Sequence, residues 1–314
     1  MDQDVGIVKG KVCVTGASGY VASWLVKRLL LSGYHVKGTV RDPGNHKKLA
    51  HLWKLEGAKE RLEVVKADLM EEGSFDDAIM GCDGVFHTAS PVLGPKSDPQ
   101  TEILDPAVNG TLNMLRSCKK NPQLKRVVLT SSSSTVRVRD DINPAIPLDE
   151  SSWSSTQLCQ RLKIWYPLSK IMAEKAAWDF AQENGIDLVT ILPTFIIGPS
   201  LPSDFFHGTE EWGIYTDDVA LSHILVYENP NAHGRYLCSS LVVDNTELAS
   251  FLAKRYPLLP IPDPNRFKRL ERPYYELDTS KLKSLGIKLK GIEEMFDDCV
   301  ASLKEKNVNA TCCP

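Results

Sequence analysis

Residues Lys11 to Leu31 read K-V-C-V-T-G-A-S-G-Y-V-A-S-W-L-V-K-R-L-L-L, and this stretch decides the fold. Lys11–Val14 has strand character, Gly16 and Gly19 make a turn, and Val21, Leu25 and Leu29 recur at helical spacing. A strand, a glycine turn and a helix in succession make an anion-binding device. The first helical turn offers unpaired backbone N–H groups and the positive end of the helix dipole. Gly16 allows the sharp turn, Gly19 lets a pyrophosphate approach the backbone, and Ala22 is small enough for helix and strand to pack. Two glycines three apart also occur in ordinary strand–helix turns, so the surrounding chain has to decide between the two.

The length, 314 residues, allows a large buried core in one or two domains. The apolar and charged fractions, 42% and 25%, are those of an ordinary globular protein. A net charge of −3 with no basic, aromatic-rich face excludes a nucleic-acid or anionic-membrane surface. The longest apolar runs are short strands, which predicts no membrane insertion. The start M-D-Q-D-V-G-I-V-K-G lacks an apolar signal core. The eight cysteines, at 13, 82, 118, 159, 238, 299, 312 and 313, show no CxxC pairing and no metal-ligand spacing. They read as reduced thiols of a cytoplasmic protein.

Outward from the opening stretch, short apolar segments alternate with longer amphipathic ones. Strands are expected over Lys11–Val14, His35–Val40, Leu62–Lys66, Gly84–Thr88, Arg126–Thr130 and Asp187–Leu192. Helices are expected over Val21–Ser32, His46–Leu55, Gly73–Met80, Ile103–Lys119 and Ser169–Asn184. This β/α alternation predicts an α/β fold, a Rossmann-type doubly wound parallel sheet with ligands at the carboxyl ends of its strands. Past residue 195 the alternation fades and proline becomes frequent. The reading is therefore a dinucleotide-binding domain over 1–195, with 217–240 returning to it, and a smaller, mainly substrate-binding region over 196–314. Asp217 and Asp218 suit the start of a helix.

Arg41 follows the second strand directly, where an NAD-binding fold usually carries an acidic residue for the ribose 2′-hydroxyl. Arginine suits a 2′-phosphate, and Lys48 adds a second cation, so NADP(H) is the expected cofactor. Arg41 as a plain solvated charge is the competing reading. Asp68, after the third strand, is suited either to accept from an adenine amino group or to cap a helix. Thr88, Ala89 and Ser90 end the fourth strand with side chains small enough for a cofactor to lie against the backbone. The fifth strand runs into the hydroxyl cluster Thr130–Thr135. Tyr166 and Lys170 are four apart, which puts both on one face of a helix. A free tyrosine titrates near pH 10, at about its reference value. An ammonium beside such a phenol favours the phenolate and suits it to proton exchange nearer neutrality.

With these motifs in view the chain resembles the extended short-chain dehydrogenase/reductases. Within them it resembles the plant branch of dihydroflavonol and cinnamoyl-CoA reductases. The matching segments include V-T-G-A-S-G-Y-V-A, G-T-V-R-D-P, K-A-D-L, G-V-F-H-T-A-S-P, V-L-T-S-S-S-S-T-V, W-Y-P-L-S-K, A-E-K-A-A-W-D-F-A, L-P-T-F-I-I-G-P and G-R-Y-L-C-S-S, and they span nearly the whole chain. The run from Asp42 to Leu62 is most similar to the tetraketide α-pyrone reductase group, whose role is to reduce a polyketide carbonyl for sporopollenin, the pollen-wall polymer. The resemblance implies Ser132, Tyr166 and Lys170 as the catalytic set. It implies a cofactor set of Gly16, Ser18, Gly19, Tyr20, Arg41, Lys48, Asp68, Leu69, Thr88, Ala89, Ser90, Tyr166, Lys170 and Pro193, with Arg137 on the substrate. It also implies a small-molecule carbonyl substrate and association with other biosynthetic enzymes. I-W-Y-P-L-S-K differs from the N-W-Y-C-Y-G-K of cinnamoyl-CoA reductases, and Arg137 stands where dihydroflavonol reductases carry asparagine. Both differences speak against those two substrates.

Two departures carry expectations of their own. Pro167 either displaces Tyr166 or marks the start of its helix. The segment 201–216 is shorter than its family counterpart by about one helix, so the substrate cover cannot be built in the same way. This leaves a dihydroflavonol- or cinnamoyl-CoA-reductase-like enzyme, or a cofactor-binding form with little catalysis, as alternatives.

Overall fold

A computed structural model describes residues 9–91, 98–202, 212–243, 245–266 and 275–305. The strands are β1 (Lys11–Thr15), β2 (His35–Val40), β3 (Leu62–Lys66), β4 (Gly84–His87), β5 (Arg126–Thr130), β6 (Leu188–Pro193), β7 (Ile196–Ile197), β8 (Trp212–Tyr215), β9 (Gly234–Cys238) and β10 (Leu241–Val242). The helices are α1 (Tyr20–Leu31), α2 (His46–Trp53), α3 (Ala58–Arg61), α4 (Asp76–Ile79), α5 (Asp105–Lys119), α6 (Ser134–Arg137), α7 (Thr156–Arg161), α8 (Trp165–Asn184), α9 (Thr216–Glu228), α10 (Asn245–Arg255), α11 (Ser280–Lys283) and α12 (Ile292–Glu305).

Seven strands form one sheet in the order β3-β2-β1-β4-β5-β6-β9, every neighbouring pair parallel. The order reverses between β1 and β4, which opens a crevice at their carboxyl ends. The central strands read as continuous apolar runs because helices cover both faces: α1 and α9 pack on one, α5 and α8 on the other. Val12 and Val14 point into the first core and Cys13 into the second, all three fully buried. The chain re-enters the sheet late, through α9 against α1 and β9 beside β6. Asp217 in the first turn of α9 forms an ion pair with Arg28 of α1, and Asp218 accepts the backbone N–H of Lys290 at 2.7 Å. A small second sheet, β10-β8-β7, lies beyond β6.

The elements depart from the sequence reading in three places, each with a local cause. The helix expected over Gly73–Met80 shrinks to the single turn α4, because Gly73 takes φ +79° and the Ser74 hydroxyl accepts the Asp68 N–H at 2.6 Å. A π-helical turn, Gln100–Leu104, precedes α5. The helix expected from Ser169 begins at Trp165, with Pro167 as its third residue, where a missing N–H leaves nothing unpaired. Of the two readings of Pro167, the helix start is the one observed. Six described cysteines are free thiols, five of them buried; Cys312 and Cys313 lie outside the described residues, as do 203–211 of the shortened segment. No described helix is long and apolar enough to cross a membrane.

Two buried histidines have settled protonation. Nδ1 of His223 lies 2.7 Å from the Val219 carbonyl, which only accepts, so Nδ1 carries the hydrogen and Nε2 accepts from Thr130 at 2.8 Å. Burial pushes its pKa from 6.5 down to about 4, and that of His87 down to about 3, with Lys170 adding to the second effect. Between those values and 6.5 the unfolded chain binds protons that the native state refuses, so native stability drains away as pH falls through that window. Urea unfolding across this range is expected to show stability dropping below pH 6.5, with a shallower slope in His223→Gln. A pH-independent midpoint would contradict it. The fold also predicts the effect of filling Gly38, whose added Cβ would meet the Ala17 Cβ at 2.7 Å beneath the glycine turn. Gly38→Val is expected to lower unfolding stability by about 1–3 kcal/mol, as overpacking does.

Candidate active site

The carboxyl ends of β1 to β4 open onto one groove of about 1010 Å³. Its floor is the turn from Gly16 to Tyr20. Gly16 takes φ +67°, and a Cβ there would lie 3.1 Å from the Ala89 Cβ, so the turn and the end of β4 fit only with glycine. Gly19 caps α1 with no side chain on the first-turn N–H groups, and Ser18, Gly19 and Tyr20 all line the groove. The Tyr20 hydroxyl itself is committed elsewhere, donating to the Gly198 carbonyl at 2.9 Å.

The residue joining floor and wall is Thr15. Its hydroxyl accepts the Thr88 N–H at 3.1 Å and the Ala89 N–H at 3.0 Å. Both lone pairs being used, it donates its hydrogen to Nδ1 of His87, 2.9 Å away. His87 therefore keeps its hydrogen on Nε2. Thr15 and His87 lie inside the quoted motifs, but no spacing rule marks a hydroxyl in a strand or the residue facing it. Only the register of β1 against β4, Thr15 opposite His87, brings them together.

One end of the groove is basic. Arg41 and Lys48 are exposed and line it from the end of β2 and from α2. Asp42 also lines it, but its Oδ1 accepts the Gly44 N–H at 2.9 Å and is held in its own turn. Asn45 caps α2 by accepting the Lys48 N–H at 3.1 Å. On the neighbouring wall, Asp68 accepts the Met70 N–H at 2.9 Å and lines the groove together with Leu69. Asp68 thus serves as a turn cap and remains a wall residue. Thr88, Ala89 and Ser90 continue the wall.

At the other end a small chamber of about 20 Å³, sharing Leu69, Ala89 and Ser90 with the groove, is lined by His87, Thr130, Ser131, Lys170 and Glu174. Lys170 lines this chamber and not the larger groove. Its Nζ stands 5.9 Å from the centre of the Tyr166 ring, which is 36% exposed. Ser132 is buried in the turn after β5, its hydroxyl accepting the Ser134 N–H at 3.1 Å; neither it nor Tyr166 lines the groove or the chamber. Pro193 ends β6, and its carbonyl takes the Ser133 N–H at 2.9 Å, so it abuts the serine turn and not the groove. Arg137 closes α6 and lines neither cavity. No group of His, Cys, Asp and Glu among the described residues is arranged to hold a metal ion.

The glycine floor, the exposed first turn of α1 and the basic lip fit a dinucleotide bearing an additional phosphate. Known proteins agree with this geometry. The profile of the NAD dependent epimerase/dehydratase family matches residues 12–211. The chain is 63% identical to tetraketide alpha-pyrone reductase 1 of Arabidopsis thaliana over the whole of both chains, and 45% identical to cinnamoyl-CoA reductase CAD2 of Medicago truncatula, over 94% of this chain and 96% of that one. Among solved structures it is similar to vestitone reductase from alfalfa, with a TM-score of 0.81 at 35% identity, covering 95% of this chain and 99% of that one. It is also similar to the yeast methylglyoxal/isovaleraldehyde reductase Gre2 complexed with NADPH, with a TM-score of 0.80 at 27% identity, covering 94% and 99%. The chain belongs to the NAD dependent epimerase/dehydratase family, the extended short-chain dehydrogenase/reductases.

Proposed function

We propose that this protein is an NADPH-dependent carbonyl reductase acting on the ketone of a tetraketide α-pyrone, a polyketide precursor of sporopollenin. It works in the cytoplasm alongside the enzymes that make its substrate. The observation that carries the reaction is Lys170 in the chamber that shares Leu69, Ala89 and Ser90 with the groove, its Nζ 5.9 Å from the centre of the Tyr166 ring. The substrate class rests on the 63% identity with tetraketide alpha-pyrone reductase 1.

In this reading the backbone of Gly16 to Tyr20 holds the diphosphate. Arg41 and Lys48 hold the 2′-phosphate. Asp68 and Leu69 flank the adenine, and Thr88, Ala89 and Ser90 flank the remainder. NADPH supplies the hydride that reduces the carbonyl carbon. Tyr166 gives its phenolic proton to the developing alkoxide oxygen, and Ser132 donates a hydrogen bond to that same oxygen. Lys170 holds the ribose hydroxyls and stabilises the phenolate that Tyr166 leaves behind.

A second reading, a cofactor-binding protein with little turnover, is favoured by one observation. The alignment with tetraketide alpha-pyrone reductase 1 runs over 333 positions against 314 residues here, so at least 19 positions stand opposite gaps in this chain. A missing stretch of cover would admit water and loosen the substrate.

Two variants test the primary reading. Tyr166→Phe is expected to abolish NADPH oxidation while leaving NADPH affinity, read by fluorescence titration, within about twofold; retained turnover would overturn the role given to Tyr166. Arg41→Asp removes charge-assisted hydrogen bonds worth roughly 1.5–3 kcal/mol, so KM for NADPH is expected to rise about ten- to hundredfold. KM for NADH is expected to change far less. An equal change for both cofactors would contradict the 2′-phosphate assignment.

A further inference from the structure

Glu174 lies one turn beyond Lys170 on α8 and is fully enclosed, with 1% of its side chain exposed. A carboxylate four residues after a lysine ordinarily pairs with it along the helix. Here it pairs instead with Arg235 of β9, Nε to Oε1 at 2.8 Å and Nη2 to Oε2 at 3.5 Å. Its remaining lone pairs accept from Ser131 at 2.6 Å and Thr190 at 3.1 Å.

Arg235 is equally complete. Nη1 donates to the carbonyls of Glu150 and Ser152 at 2.8 and 2.7 Å, and Nη2 donates to the Thr135 hydroxyl at 2.7 Å. All five donors of the guanidinium are used, and its plane lies 3.8 Å over the Trp153 ring. A buried ion pair of this kind adds little net stability compared with apolar side chains of the same volume. Its placement calls for another reason. Ser131 directly precedes Ser132, Thr135 closes the same turn, and Glu174 shares a helix with Tyr166 and Lys170. The pair thus fastens the serine turn to the tyrosine–lysine helix, the two parts that must meet at one substrate oxygen.

We propose that Arg235 and Glu174 are positioning residues for the reduction. Arg235 holds the Glu174 carboxylate on Ser131, which fixes the turn bearing Ser132 and keeps that carboxylate from capturing Lys170. This proposal rests on the reductase reading above. Among the described residues His87 of β4 is the other titratable side chain on the chamber and is neutral at working pH, while α5 presents Ala107 and Thr111 there.

In Arg235→Gln the buried carboxylate loses its partner and turns to Lys170. The expected results are a kcat lower by about tenfold, as for a displaced catalytic group, a KM for NADPH within about threefold, and a basic limb of the pH–rate profile moved to higher pH. Arg235→Gln/Glu174→Gln carries no carboxylate to capture Lys170 and is expected to restore the position of that limb. A merely structural ion pair would give no such rescue. Ser131→Ala, which cuts only the tie to the serine turn, covers the case in which Arg235→Gln does not fold, and is expected to lower kcat at unchanged melting temperature. The proposal is overturned if Arg235→Gln keeps the kcat and pH profile of the unmodified protein, or, where that variant does not fold, if Ser131→Ala keeps them. A chain that oxidised no NADPH with any carbonyl would contradict the reductase reading alone. The positioning role would then be read from a crystal structure of Arg235→Gln: Lys170 Nζ on Glu174 supports it, and Lys170 still over the Tyr166 ring overturns it.

Discussion

The hydroxyl of Thr15 is the junction on which the site depends. It sits fully buried at the carboxyl end of β1, where the strand order reverses, and has one partner for each of its three hydrogen-bonding positions. Two backbone N–H groups at the end of β4 would otherwise be orphaned, at about 1–3 kcal/mol each. By holding Thr88 and Ala89 close, Thr15 sets the wall against which Gly16 must turn. By giving its hydrogen to His87, it fixes the tautomer of the ring that faces the chamber of Lys170. One side chain thus relates the glycine floor to the chamber of Lys170.

The charges along the groove follow the same division of labour. Arg41 and Lys48 are exposed at one end of the groove, beside a turn held by Asp42 and Asn45, where an incoming anion can replace their water. At the reacting end burial holds His87 uncharged, so Lys170 meets no competing cation from that neighbour. Glu174, the one carboxylate on the chamber among the described residues, is paired with Arg235. A low-dielectric site amplifies any unbalanced charge, so these pairings decide what Lys170 acts on.

Much of this was legible in the sequence because it is written in local patterns. The glycine turn, the arginine after β2 and the β/α alternation each sit within a few residues, and strand limits such as His35–Val40 and Leu62–Lys66 coincide with the observed ones. Helix ends were less legible. Pro167 argues against an α-helix until the helix is seen to start just before it, and the Gly73 turn depends on Ser74 bonding to Asp68. Least legible were pairs joined only by the fold: Thr15 with His87 across 72 residues, and Glu174 with Arg235 across 61. Each residue alone reads as an ordinary strand or helix position. The sheet register brings them together, and no periodicity encodes that.

Hydride transfer to a polyketide ketone is measured most directly as NADPH oxidation by the purified protein with a tetraketide α-pyrone, a dihydroflavonol and a hydroxycinnamoyl-CoA side by side. The account predicts the largest kcat/KM for the alkyl pyrone, with loss of the pyrone ketone matching the NADPH consumed. Tight NADPH binding without oxidation by any of the three, or a clear preference for dihydroflavonol or hydroxycinnamoyl-CoA, would contradict it.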